Sequence, residues 1–491
     1  MLSMEKTVKL TEKIEHIVVL MLENRSFDSI LGNLYPEKEN FDGLKGNETN
    51  PLHGNGDIKV WNSGQLDSAS MSIPTPDPGE LWNDINMQLY GLDGKPGSQV
   101  PPMNGFVNNY VRQTDEPPSN YKPEAIMHYY TPDQLPVISA LAKEYAVCDQ
   151  WFASVPCQTW PNRFFLHCAT AAGYENNSPP HFPYLMETVF NRFPNPESWK
   201  IYFHDFPQTL TLSRLWSHAD RFALFEKEFA KDAADGKLPS YTFIEPRYFP
   251  DVKLPNDQHP PHHVGMGEDL IAEVYNAVRS APTWEKTLLV IIYDEHGGIY
   301  DHVSPSAAVP PDNSHSQPFG FDRYGVRVPA VLISPYIGRE TILKKTVGSA
   351  YPFDHTSVIA TLRKCFNLGT PISQRDAVAP DLECVLNLDS PRDDCLPSVS
   401  PRPYTVDPTE LTKALNAPLN DFQKAMHDAA AHLPSLSAMK EGEDIFSTIE
   451  GHVENLVNGI MSEIPNHKTP VDALPFMKEK LSSFLAGKVG K

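Results

Sequence analysis

Three observations predict an α/β protein with a mostly parallel central sheet flanked by helices, followed by a smaller helical C-terminal region. Three short runs, "HIVVLML" (16–22), "TLLVIIY" (287–293) and "VPAVLISPY" (328–336), are apolar, rich in β-branched residues and bounded by polar ones. Such near-continuous apolarity marks strands covered on both faces. Helical patterns alternate with them: "DQLPVISALAKEYA" (133–146), "GEDLIAEVYNAVRSA" (267–281) and "DHTSVIATLRKCFNL" (354–368), with Asp354 as candidate N-cap of the last. From about residue 396 the character changes. "SVSPRPYTVDP" reads as a linker, and amphipathic patterns follow at about 408–432, 437–463 and 470–487. The expected division is a main domain over 1–395 and a helical region over 396–491.

The 491 residues suffice for such a pair. With 41 Lys+Arg against 62 Asp+Glu, the formal net charge is −21 and no basic patch stands out, so no nucleic-acid partner is expected. The 47 prolines, many in segments such as 68–79 and 306–318, point to long ordered loops over the scaffold. The start, "MLSMEKTVKLTEKIEHIVVL", lacks an apolar signal region, and no stretch approaches about 18 uninterrupted apolar residues. The expectation is a soluble protein without a Sec signal or membrane span, cytoplasmic or peripheral to a membrane, with export by another route left open. Cys148, Cys157, Cys168, Cys365, Cys384 and Cys395 form no CxxC pair and are expected as reduced thiols. Cys384 and Cys395 are the candidate pair if the protein is exported.

In parallel sheets, ligands bind beyond the carboxyl ends of the strands. The stretch "LMLENRSFDSILG" (20–32) places Glu23 and Asn24 at such an end, and "TLLVIIYDEHGGIYDHV" places Asp294 and Glu295 at another, followed by two glycines that free the backbone to turn. Together these four residues offer hard oxygen ligands suited to a divalent cation. Arg25 and Asp28 read as a pair bracing the first loop, and Arg327 as a brace at a strand entrance.

The third element is "SVPCQTWPNRFFLHCATAAG" (154–173). Thr159 is a candidate nucleophile if its hydroxyl is held on a metal, because a free hydroxyl is weakly nucleophilic at neutral pH. Asn162 and Arg163 either orient its turn or bind phosphate. The spacing Thr-x-Pro-x-Arg resembles the Cys/Ser-x-Pro-x-Arg motif of sulfatases, but threonine cannot be oxidised to their formylglycine. A retained hydroxyl suits attack on phosphorus. "NDQHPPHHVG" (256–265) clusters His259, His262 and His263 on an extended segment, without the i, i+4 spacing of a helical zinc motif. His302 and His355 lie where an imidazole can reach phosphate oxygens or protonate a leaving group.

The blocks ENRSFDSILG (23–32), TWPNR (159–163), NDQHPPHHVGMGEDLIAEVY (256–275), YDEHGGIYDHV (293–303) and GVRVPAVLISPY (325–336) resemble, in order, the phosphoesterase family of bacterial phosphatidylcholine-hydrolysing phospholipases C, plant non-specific phospholipases C and a bacterial acid phosphatase. The resemblance spans about residues 14–368. It implies a core similar to alkaline phosphatases and sulfatases, with residues 1–395 as the catalytic domain. It also implies one divalent metal ion, of Ca, Mg, Mn, Zn or Fe, held by Glu23, Asn24, Thr159, Asp294 and Glu295. Thr159, His259 and His302 are implied as catalytic, with Asn162, Arg163, His262 and His355 as candidate substrate contacts. The implied activity is a phospholipase C cleaving the glycerol-side phosphodiester of a phospholipid through a phosphothreonine intermediate, in peripheral contact with membranes or micelles. A phosphomonoesterase is the alternative enzyme, and an inactive lipid-binding protein the non-enzyme alternative.

Overall fold

The computed structural model describes residues 10–92, 100–113, 121–177, 182–316, 319–345, 349–404, 406–436, 444–459 and 463–486. Within them eight strands form one sheet: β1 (His16–Leu22), β2 (Ala146–Cys148), β3 (Trp199–Phe203), β4 (Phe222–Leu224), β5 (Tyr241–Ile244), β6 (Thr287–Tyr293), β7 (Ala330–Ile333) and β8 (Thr341–Leu343). Their spatial order is β8-β2-β7-β6-β1-β5-β3-β4. Every pairing is parallel except those of β7, which runs antiparallel to both β6 and β2. The two longest strands, β1 and β6, lie side by side at the centre, and β6 is buried along its whole length. Their apolar runs satisfy both faces of the sheet at once, which is why they read so clearly in the sequence.

Their register positions the chemistry. Leu22 pairs with Tyr293 in the parallel ladder, so Glu23 and Asp294 leave the sheet at the same level on adjacent strands. The Asp294 N–H still donates to Leu22 O at 3.2 Å.

The flanking helices are shorter than or offset from their patterns. One spans Pro136–Glu144, with proline at its first position, where the missing N–H costs nothing. Buried Glu268, on the neighbouring Val264–Ser280 helix, accepts from Val137 N at 2.6 Å and Ile138 N at 3.0 Å, satisfying two donors that the first turn leaves orphaned. The Thr356–Phe366 helix begins two residues after Asp354, which sits in a two-residue strand. The Asp354 carboxylate therefore takes side-chain donors, Thr356 Oγ1 at 2.6 Å and Ser154 Oγ at 2.8 Å, instead of capping the helix.

The C-terminal patterns appear as helices Glu410–Asn416, Asp421–Ala430, Ile445–Val457 and Pro470–Leu485. Residues 437–443, 460–462 and 487, parts of the expected helices, lie outside the described residues, as do residues 1–9 of the N-terminal reading. These helices pack onto the sheet domain: Phe422, Met426, Leu474, Met477 and Phe484 belong to the same apolar cluster as β1 and β6. Each such side chain contributes about 1.5–3 kcal/mol on burial. The Phe422 ring meets Tyr248 edge-on at 5.0 Å, and Gln423 Nε2 donates to Tyr248 O at 2.8 Å. All six cysteines are free, so Cys384 and Cys395 are not bridged. No helix among the described residues is long and apolar enough to cross a membrane.

Candidate active site

Glu23, Asn24, Asp294 and Glu295 converge beyond the ends of β1 and β6, and all four are fully buried. Asn24 adopts a left-handed backbone, φ +50°, which asparagine tolerates better than most residues. That turn aims its N–H at Asp294 Oδ1, 3.1 Å away, while Glu295 N donates to the same oxygen at 2.7 Å. Gly297 N donates to Glu295 Oε2 at 2.8 Å. The two strand ends nest against each other at Gly297, whose φ is +62° and where a Cβ would lie 2.3 Å from Asn24 O. Only glycine fits there.

Thr159 opens the Thr159–Cys168 helix, is fully buried, and donates to Asn24 Oδ1 at 3.4 Å. Asn162 spends its side chain on the preceding turn. Its Oδ1 accepts from Val155 N at 3.1 Å and its Nδ2 donates to Cys157 O at 2.9 Å. The turn that presents Thr159 is thereby held rigid. Arg163, one helical turn after Thr159 and on the same face, reaches across both strand ends. Its Nε lies 3.0 Å from Asp294 Oδ2 and its Nη2 lies 3.1 Å from Glu23 Oε1.

Two further carboxylates enter that the sequence reading missed. Asp77 and Glu80 flank a Pro-Gly pair in the proline-rich loop before the Trp82–Tyr90 helix, and Asn24 Nδ2 donates both to Glu80 Oε1 at 2.5 Å and to Glu295 Oε1 at 3.1 Å. The loop is pinned by Tyr110 Oη donating to Pro76 O at 3.0 Å and Gln88 Nε2 donating to Gly79 O at 2.8 Å. An acid-Pro-Gly-acid turn is common at surfaces, and nothing in its spacing distinguishes this one. His259, 2% exposed, lies 3.8 Å from both Asp77 and Glu80. A cleft of about 110 Å³ opens here, lined by Asp77, Glu80, Gln158, His259, Asp421 and Phe422, so the C-terminal region supplies part of its wall. A larger cavity of about 470 Å³, near Arg247 and Asp407, touches none of the expected site residues.

Burial pushes the Glu23, Glu80, Asp294 and Glu295 carboxyls above their usual range, with Arg163 pulling Glu23 and Asp294 the other way. One guanidinium thus faces an excess of buried negative charge. Glu23 Oε2 has no hydrogen-bond partner. An oxygen-rich donor set with surplus charge and an orphaned carboxylate oxygen fits a hard divalent cation.

The remaining histidines are placed differently from one another. His355 Nδ1 accepts from Trp151 Nε1 at 3.3 Å, and its Nε2 donates to Asp294 O at 2.6 Å, so both nitrogens are used in holding the β6 end. His262 Nδ1 lies 2.7 Å from Asp257 Oδ1, which also accepts from His259 N at 3.1 Å. His302 places Nδ1 2.7 Å from Asp28 Oδ2 and Nε2 3.3 Å from Asp42 Oδ1. The expected Arg25–Asp28 brace does not form. Asp28 instead meets Arg327 Nη2 at 3.1 Å, while Arg25 Nε donates to Gln258 O at 2.7 Å and Nη1 to Ile73 O at 2.6 Å. Arg327 also holds Asp301 through Nε at 2.9 Å, so it does brace the entrance to β7.

The chain is 39% identical over 439 residues to non-specific phospholipase C6 of Arabidopsis thaliana, covering 86% of this chain and 81% of that protein. It is 28% identical over 448 residues to phospholipase C B of Mycobacterium tuberculosis, covering 79% and 80% respectively. Among solved structures, an alkaline phosphatase superfamily protein from Vibrio parahaemolyticus overlaps 50% of this chain and 63% of its own with TM-score 0.32 and 9% identity, a likeness too slight to carry weight beside the sheet order itself. Residues 14–369, the part that carries both strand ends, Thr159 and His259, match the model of the Phosphoesterase family, and the chain belongs to that family.

Proposed function

We propose that this protein is a phospholipase C, a phosphoric diester hydrolase that cleaves the glycerol-side phosphodiester of a phospholipid such as phosphatidylcholine, with Thr159 as nucleophile. The observation that carries the reading is the placement of Thr159 Oγ1 against Asn24 Oδ1, beside the adjacent strand ends that carry Glu23, Asp294 and Glu295 and at a helix N-terminus. A helix N-terminus favours an anionic group such as phosphate. The relatives named as phospholipases C support the same chemistry.

In the first displacement, Thr159 Oγ1 bonds to phosphorus as the bond from phosphorus to the glycerol oxygen breaks. The hydroxyl proton ends on the departing diacylglycerol oxygen, leaving a phosphothreonine ester of the head group. In the second, the oxygen of a water attacks phosphorus and the P–Oγ1 bond breaks. One proton returns to Thr159, and the phosphorylated head group departs. Of the two histidines expected on the leaving-group side, His302 has both ring nitrogens engaged by Asp28 and Asp42, so that side is assigned to the His259 face of the cleft. Arg163 holds Glu23 and Asp294 in place, and Asn162 and His355 fix the backbones that carry Thr159 and Asp294. One divalent ion, held by Glu23, Asn24, Thr159, Asp294 and Glu295, would neutralise phosphoryl oxygens and lower the pKa of the nucleophilic hydroxyl.

The described residues lining the cleft include Asp77, Glu80, Asp84 and Asp421 and no Lys or Arg. This lining suits a diester with a cationic head group better than a monoester dianion. We assign residues 1–395 as the catalytic part and 396–491 as a helical addition that completes the cleft wall, with peripheral contact at the membrane or micelle that holds the substrate. The test compares wild type and Thr159→Ala on phosphatidylcholine micelles and on a soluble phosphomonoester. Diacylglycerol and phosphocholine from the wild type alone are expected. Equal lipid cleavage by both proteins would overturn the role of Thr159, and phosphate release with no lipid cleavage would overturn the substrate.

A further inference from the structure

The geometry points to a second divalent-cation site beside the strand-end carboxylates, formed by Asp77, Glu80 and His259. One ligand atom from each of the three lies within 4.8 Å of the other two. His259 Nδ1 sits 2.6 Å from Pro260 O. A backbone carbonyl only accepts, so Nδ1 carries the proton and Nε2 presents a bare lone pair. That lone pair faces Glu80 Oε1 at 3.8 Å, beyond hydrogen-bond reach, on a side chain only 2% exposed. A carbonyl gripping the far ring nitrogen is the arrangement that orients metal-binding imidazoles. Asp77 Oδ1, 3.8 Å from Nδ1 on the other side of the ring, is also buried without a hydrogen-bond partner. All three residues line one cleft.

Among the described residues, Asp77 and Glu80 come within ion-pair distance of His259 and of no Lys or Arg. The charge of Arg25 acts on Asp77 and His259, with its Nε and Nη1 bonded to the backbone oxygens of Gln258 and Ile73 and its Nη2 without a hydrogen-bond partner. The contrast is the other cluster of equal compactness, Asp28, Asp301 and His302, where the Arg327 fork bridges both carboxylates and leaves nothing for an ion to do. Burial pushes both carboxyls above their usual range, so they ionise most readily against a bound cation, and two carboxylates with a neutral imidazole form a mixed donor set that suits Mn²⁺, Zn²⁺ or Fe²⁺. Asn24 Nδ2 bonds both Glu80 and Glu295, so the two cation sites would be neighbours across one amide. His259 would then serve the leaving-group face by holding an ion there, not by passing a proton. The binding claim stands on geometry, and only its catalytic meaning rests on the phosphodiesterase reading.

The test strips the full chain with a chelator, titrates it with Mn²⁺ alone, and counts bound ions by calorimetry and elemental mass spectrometry. Wild type is expected to bind two ions per chain. His259→Gln and Asp77→Asn are expected to keep one, with affinity at the second site at least about tenfold weaker and thermal unfolding of the stripped proteins unchanged. One ion in wild type, or two undiminished in both variants, overturns the proposal. A proton-shuttling His259 would give the latter result with an altered pH profile. If a variant unfolds, paramagnetic resonance of Mn²⁺-loaded wild type decides: spin coupling between neighbouring ions supports the site, and an isolated-ion spectrum overturns it. Two ions with no lipid cleavage would sink the proposed function and leave the site, whereas lipid cleavage with one ion would do the reverse.

Discussion

Arg163 Nε lies 3.0 Å from Asp294 Oδ2, with both side chains fully buried, and the same guanidinium reaches Glu23. One residue thus ties the Thr159–Cys168 helix to both central strand ends. Removing one member of a buried ion pair leaves an uncompensated charge and costs about 3–5 kcal/mol. Arg163→Met is expected to lose stability on that scale together with activity. Arg163→Lys should recover only part of it, because an ammonium cannot fork across two carboxylates. Urea unfolding of the three proteins checks this, and an Arg163→Met curve overlying wild type would contradict it.

Gly297 sits at φ +62° with Asn24 O where its Cβ would be. Gly297→Ala is expected to push the two strand ends apart, reducing lipid hydrolysis strongly and lowering the melting temperature. Gly46 also has positive φ, +79°, but nothing lies within 4 Å of its Cβ position. Gly46→Ala should leave hydrolysis near wild type, and comparing the two variants separates backbone strain from site disruption.

Burial weakens the hold of His302 on its proton, but hydrogen bonds to Asp28 and Asp42 outweigh this and push its pKa up to about 10. The unfolded value is about 6.5. A folded pKa above the unfolded one gives stability that is complete below about 6.5 and is lost as pH rises through about 10. Unfolding free energy should therefore fall across that window in wild type, and His302→Gln should flatten this part of the profile. Denaturant melts from pH 6 to 10 measure the slope in each.

Phe422 is 3% exposed and its ring packs edge-on against Tyr248. Phe422→Ala should cost about 3–5 kcal/mol, the usual range for a buried phenylalanine. Because Phe422 and its neighbour Asp421 also line the cleft, activity should fall even on a soluble diester, where membrane docking plays no part. Loss on bilayers alone would instead place the C-terminal region in docking.

Much of the site was readable because its first elements are local. β1 and β6 announce themselves by apolar runs buried on both faces, and Glu23, Asn24, Asp294 and Glu295 follow them directly in the chain. Thr159 and Arg163 were readable from a motif five residues long. Asp77 and Glu80 were not, because they reach Glu295 only through a loop whose course depends on a second apolar cluster involving Ile85, Phe106 and Tyr300. The partner of Asp28 was misassigned for a similar reason: Arg25 is three residues away, but Arg327, separated by 299 positions, is the one beside it.

By itself the sequence determined the α/β character, the central strands, the helix that follows Thr159 and the kind of atoms gathered at the strand ends. These follow from burial and hydrogen bonding that repeat over a few residues. Only the tertiary structure decided that β7 runs antiparallel, that Arg163 bridges Glu23 and Asp294, that His302 is locked between Asp28 and Asp42, and that Asp421 and Phe422 wall the cleft. Those outcomes depend on which strands neighbour one another and on how distant loops close, and a charge or ring selects its partner by distance in space, which a linear pattern does not encode.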